Sequence, residues 1–132
     1  MMERRNQAAV TILIVEDHEP MLALVNSLIS AAFPACRILA AESAERALEL
    51  CAMHAPQVVV MDIGLPGMNG IEATRRIKVL RPDTAVVMHS NHDMSIYRHA
   101  AAAAGASAFV TKAKTFSDLA PAIAGLLPPA PA

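Results

Sequence analysis

The sequence predicts an α/β fold: a doubly wound parallel sheet of five strands with helices on both faces. Three observations lead there. Five short aliphatic runs of strand length recur along the chain, and a stretch with helical spacing follows each of them. The runs are apolar almost throughout, as strands covered on both faces should be, rather than alternating as half-exposed strands do. Polar and charged residues collect just past the ends of the runs, where open parallel sheets place their functional groups. Strand and helix in regular alternation imply crossover connections and a parallel sheet.

The elements follow in order. "VTILIV" (10–15) is rich in β-branched residues and reads as the first strand. "RILAA" (37–41), "VVVMD" (58–62), "AVVMH" (85–89) and "SAFVT" (107–111) are the other four. Met21, Leu22, Val25, Leu28, Ile29 and Ala32 fall at the spacing of one helix face. Ala44, Ala47, Leu48 and Cys51 form a second such face, behind Ser43 as the predicted N-cap. Ile71, Thr74, Ile77 and Leu80 mark a third helix, ended near Pro82. "MSIYRHAAAAG" is a fourth, closed by Gly105. The last helix is expected over 117–127, because Pro121 is tolerated only in a first turn.

Composition bounds the function classes. A chain of 132 residues suits one domain with one core. Apolar residues make up 55% and aromatics only 3%, so the core must be aliphatic. A formal net charge of −1 gives no reason to expect a nucleic-acid or membrane surface. Cys36 and Cys51 lack metal-ligand spacing and are too few for a disulfide scaffold of this size. No apolar run reaches the roughly 18 residues of a membrane span, and the start "MMERRNQAAV" lacks the core of a signal peptide. The expected setting is cytoplasmic. Residues 1–9 read as an N-terminal extension, 10–127 as the domain, and 128–132, "PPAPA", as a tail or the start of a linker.

Glu16 and Asp17 follow the first strand, Asp62 ends the third, His89 and Ser90 follow the fourth, and Lys112 follows the fifth. Taken singly, each has a plainer reading. Asp62 could open a turn, and the acidic pair could sit at a helix start favoured by the dipole. Ser90 could cap the fourth helix in competition with Asp93, and Lys112 could be an ordinary surface lysine. Together they are harder to dismiss. Carboxylates brought to one edge repel unless a cation lies between them. Hard oxygen donors with open positions suit Mg²⁺, with Mn²⁺ a second choice. A carboxylate, a divalent cation and a lysine make a site able to accept a phosphoryl group.

These residues, with "LPGMNG" behind Asp62, resemble a response-regulator receiver domain of bacterial two-component signalling, the CheY-like family, over about 10–127. "MDIGLPGMNGIEATRRIK" is similar to the NarL/LuxR-type group. The resemblance implies a flavodoxin-like (βα)5 fold with strand order 2-1-3-4-5. It implies that Asp62 accepts phosphoryl from a sensor histidine kinase or phosphotransfer protein. Asp17, Asp62 and the Gly64 backbone carbonyl would hold Mg²⁺, with Glu16 acting mostly through a metal-bound water. Ser90 would turn toward the aspartyl phosphate, and Lys112 would pair with a phosphoryl oxygen. Phe109 matches the aromatic switch position, although an aromatic on a strand is equally readable as plain core. The family's two-state behaviour would alter the fourth helix, fifth strand and last helix, with Tyr97, Arg98 and His99 as exposed members. That face would control an output domain or protein and could support a homodimer. The domain would catalyse its own phosphoryl transfer and hydrolysis without acting as an enzyme on a separate metabolite.

Some residues depart from the family pattern. Asn91 stands where a small Ala or Gly is usual. Gly64 and His92 occupy positions that tune phosphoryl lifetime, and Gly64 has no side chain to orient a water. Ala113 replaces the proline that commonly follows the lysine, as in many receivers joined to helix-turn-helix output domains. Three alternatives remain, and a fourth shares the fold only. The chain could be the receiver portion of a DNA-binding transcription regulator. It could be a pseudo-receiver that is never phosphorylated. A haloacid-dehalogenase-type phosphohydrolase would want an acid where Gly64 stands. A flavodoxin-like flavin binder would not want the acidic "EDHEP" after its first strand.

Overall fold

The computed structural model describes residues 10–128. The predicted extension 1–9 and residues 129–132 of the tail lie outside the described residues. The strands are β1 (Thr11–Val15), β2 (Arg37–Ala41), β3 (Val58–Met61), β4 (Ala85–Ser90) and β5 (Ala108–Thr111). The helices are α1 (Glu19–Ala32), α2 (Ala44–His54), α3 (Gly70–Leu80), α4 (Ser95–Ala104) and α5 (Ala120–Ala124). All strand pairs are parallel, in the order β2-β1-β3-β4-β5. The expected fold class and strand order are therefore observed.

Side-chain alternation splits each central strand between two apolar layers. Ile12, Ile14, Val58, Val60 and Val87 face α1 and α5, where they meet Val25, Ile29, Leu119 and Ile123. Leu13, Val15, Val59, Met61, Val86 and Met88 face α2, α3 and α4, where Ala47, Leu50, Ala73, Ile77 and Ala101 cover them. Truncating one of these, such as Ile77→Ala, costs about 2–5 kcal/mol by transfer and cavity terms. Among the described residues, no helix is long and apolar enough to cross a membrane.

The helix ends follow local chemistry. Ser43 caps α2 by accepting from the Arg46 amide at 3.1 Å. Asn69 caps α3 through both the Ile71 and Glu72 amides. Gly105 closes α4 at φ 109°, a left-handed conformation that favours glycine. At the start of α4 neither Ser90 nor Asp93 is the cap: Met94 holds that position without a side-chain bond.

The last helix differs from the expectation over 117–127. A 3-10 turn (Lys112–Lys114) runs into a π turn (Thr115–Leu119), and only Ala120–Ala124 is α-helical. Pro121 does fall in the first turn of α5, where its missing N–H breaks no helical bond. The wide π turn before it takes up the misfit, so helical winding begins earlier and less regularly than a single helix from Ser117.

Candidate functional site

The sheet carries its ladder one residue past two strand ends. The Glu16 amide donates to the Ala41 carbonyl at 3.0 Å, and the Asp62 amide donates to the Val15 carbonyl at 3.1 Å. Both acids are thereby fixed at the carboxyl edge, and both are buried. Asp17 is exposed beside them. One oxygen from each of Glu16, Asp17 and Asp62 lies within 4.8 Å of the others.

Lys112 reaches this cluster from the far side. Thr111 pairs with Ser90 in register, so the residue after Thr111 emerges at the same edge. The Lys112 ammonium lies 2.8 Å from Glu16 Oε1 and donates to Asp62 Oδ2 at 3.2 Å. No described peptide bond is cis, so Lys112–Ala113 is trans, and the lysine makes this reach without the proline common in the family. Burial pulls the Lys112 pKa down, but contact with Glu16 and the charges of Asp62 and Glu16 outweigh it and raise the pKa overall. The ammonium stays charged.

Three carboxylates and one ammonium leave the pocket with surplus negative charge and oxygen donors only. Buried Glu16 Oε1 has the Lys112 ammonium as its one close partner among the described residues, which leaves it room for a further cation or water. That set fits a hard divalent cation with open positions. Glu16 Oε2 accepts from the His18 amide at 3.2 Å. Asp62 Oδ1 accepts from the Gly64 amide at 3.4 Å, which places the Gly64 peptide beside the carboxylate.

The other expected residues surround this centre without all joining it. Ser90 is fully buried at the end of β4, and its hydroxyl accepts from the His92 amide at 3.2 Å. It does not touch Asp62 here. His92 lies over the site: a Cβ on Gly64 would stand 3.0 Å from its Nε2. Its ring meets Tyr97 edge-on, 5.2 Å between centroids. Asn91 is exposed. Phe109 is half-buried beside Met88, its register partner, with the Arg98 guanidinium 4.5 Å above its ring. Arg98 and His99 are exposed as expected, whereas Tyr97 is half-buried and packs against the core. Its ring is apolar enough to join α4's inner face, which the exposed assignment overlooked.

Two contributors escaped the sequence reading. Gly70 begins α3 directly under the Asp62 peptide, and the Asn69-Gly70 pair before an amphipathic helix was the available signal. Thr115 is buried against His89 and the Lys112 carbonyl, a contact spanning 26 residues that no local pattern announces.

Comparison with known proteins agrees with this geometry. The family model described as the response regulator receiver domain matches residues 12–124. The transcriptional regulatory protein DegU of Brevibacillus brevis is 34% identical over 113 residues, 85% of this chain and 48% of DegU. The transcriptional activator protein ExaE of Pseudomonas putida is 36% identical over 104 residues, 77% of this chain and 48% of ExaE. The chain thus spans about half the length of these curated relatives. The crystal structure of a LuxR-family two-component response regulator from Aurantimonas sp. SI85-9A1 superposes with a TM-score of 0.81 at 34% identity, covering 92% of this chain and 89% of that one. Domains of this kind are signalling switches rather than enzymes acting on a metabolite, use Mg²⁺ generally, and work with histidine kinases and output domains. The chain belongs to the response regulator receiver domain family of two-component signalling.

Proposed function

We propose that Asp62 is the phosphoacceptor of this receiver, taking a phosphoryl group from the phosphohistidine of a sensor kinase or phosphotransfer protein. The observation that carries this reading is the convergence of Glu16, Asp17 and Asp62 at one sheet edge with the Lys112 ammonium held between two of them. Asp17, Asp62 and the Gly64 carbonyl would hold Mg²⁺, or Mn²⁺ in its place, and Glu16 would act through a water. The cation, when bound, offsets charge on the oxygens of the transferring group.

An Asp62 oxygen forms a bond to phosphorus as the donor's P–N bond breaks, and the electron pair stays on the imidazole nitrogen. Lys112 moves from the Asp62 carboxylate to a phosphoryl oxygen. Ser90 gives up its contact with the His92 amide and donates a hydrogen bond to a phosphoryl oxygen. Phe109 and the surface of α4, β5 and α5 follow, which changes contacts with an output domain or a second copy of the chain. Gly64, Asn91 and His92 set how readily water reaches the acyl phosphate and hence its lifetime. Residues 10–127 act as the receiver. DegU and ExaE, named as transcriptional regulators, are about twice as long as the matched segment, which supports a DNA-binding output beyond it.

The test is incubation with Mg²⁺ and acetyl phosphate, or with beryllofluoride, for wild type and Asp62→Asn. Intact mass and NMR should show a Mg²⁺-dependent adduct that Asp62→Asn abolishes. An unmodified wild type would mean a pseudo-receiver.

A further inference from the structure

His89 is the residue before Ser90, and strand alternation turns it to the α1/α5 side of the sheet, beside Val87. Both His89 and Thr115 are 2% exposed. An imidazole among aliphatic side chains is costly unless it is partnered. Its Nε2 stands 2.8 Å from Thr115 Oγ1. The Thr115 hydroxyl in turn lies 2.7 Å from the Lys112 carbonyl oxygen. A carbonyl only accepts, so the single hydroxyl proton goes to Lys112, and His89 must carry its proton on Nε2 and donate it to Thr115. Burial, helped by the Lys112 charge and opposed by Asp62, pulls the imidazole pKa down to about 4, so at neutral pH it holds one proton, as this chain of donors requires.

The turn that carries Lys112 has little else to define it. Lys112–Lys114 is a single 3-10 turn, and Thr111 before it makes no side-chain cap. A π turn follows, a rare winding that occurs mostly as single turns. Lysine adds a flexible four-carbon stem. Where the ammonium lands therefore depends on how firmly its own peptide is held.

We propose that Thr115, braced by His89, is a positioning residue for Lys112: the two buried hydrogen bonds fix the Lys112 carbonyl, aim its ammonium at Asp62 and Glu16, and tie that aim to the β4 end that carries Ser90. The consequence for phosphoryl transfer rests on the role assigned to Asp62, while the positioning itself is a property of the folded chain.

The experiment compares wild type with Thr115→Val, which keeps the shape and removes the hydroxyl, and Thr115→Ser, which restores the hydroxyl. The first readout is the Lys112 ammonium signal in ¹⁵Nζ-detected NMR of the metal-free chain. Thr115→Val should move it toward the signal of the exposed Lys114, and Thr115→Ser should return it. The second readout is the acetyl phosphate reaction with Mg²⁺. Its rate should fall roughly 10-fold to 100-fold in Thr115→Val, the scale produced by moving a reacting group about 1 Å. The reaction should still require Mg²⁺, because the acids come from other strand ends, and Thr115→Ser should recover the rate. If Thr115→Val does not fold, His89→Leu with His89→Gln as its conservative control gives the same two readouts. A folded variant with an unmoved Lys112 signal overturns the proposal. A wild type that takes no phosphoryl overturns the role of Asp62 instead, and the Lys112 signal then decides the positioning alone.

Discussion

A β-carbon on Gly70 would lie 1.9 Å from the backbone carbonyl oxygen of Asp62. The first residue of α3 and the acid at the end of β3 are thus in contact peptide to peptide, and only glycine permits it. Gly70→Ala must push the helix away or displace the Asp62 peptide. We expect it to lower stability by about 2–3 kcal/mol or more, the scale of forced overpacking, and to weaken Mg²⁺ binding as well. Urea unfolding with and without Mg²⁺ measures both; a native-like midpoint would show that the backbone yields cheaply.

Lys112→Met removes the cation paired with two buried carboxylates. Breaking such a pair from one side costs about 3–5 kcal/mol, because charge is left uncompensated. The variant should be that much less stable in a chelator and should regain most of it when Mg²⁺ is added. Phosphorylation should fall by about 10²–10³, as for loss of one donor to a developing oxyanion. Calorimetry in both buffers gives the first result and acetyl phosphate kinetics the second.

Divalent cation should stabilise the wild type by mass action, about 2.7 kcal/mol at a hundred times its dissociation constant. Asp17 is exposed, so Asp17→Asn should leave the metal-free stability nearly unchanged. The same substitution should remove most of the Mg²⁺-dependent rise in melting temperature. A full rise in Asp17→Asn would take that carboxylate out of the metal set.

His89 predicts an acid-side loss of stability. Its pKa is lowered to about 4 from the ordinary 6.5, chiefly by burial. Between those values the unfolded chain binds more protons than the folded one, so stability rises with pH there. The contribution is complete above about 6.5, declines as the pH falls toward 4, and amounts to about 3 kcal/mol in total. The difference between wild type and His89→Gln, followed by urea unfolding across this window, isolates it from the carboxylates. A constant difference would mean that His89 is not buried as the neutral form.

The readable parts of this chain are those in which one residue's chemistry decides its own neighbourhood. Continuous aliphatic runs such as "VVVM" can only be strands buried on both sides, and Ser43 and Gly105 announce helix ends through their own side chain or lack of one. The acidic edge was legible because parallel strands deliver their carboxyl ends together, whatever the loops do. What escaped depends on contacts that no residue type announces. Met94 occupies the α4 cap because the loop after Ser90 spends the serine hydroxyl on the His92 amide. Thr115, which opens the π turn before Pro121, is held inward by the Lys112 carbonyl and by His89. Neither contact leaves a trace in the residues immediately around it.

Tyr97 is the chain's single tyrosine, and there is no tryptophan. Its ring is stacked edge-on against His92, two residues past the buried Ser90 hydroxyl. Near-ultraviolet emission from this protein therefore has one dominant source, and that source sits in the first turn of α4, in contact with the loop that follows Ser90. Ring contact with the imidazole conditions the emission of the phenol, and separating the two rings changes it. The unlabelled chain carries its own optical gauge of the β4–α4 connection, readable in a cuvette while phosphodonor is added.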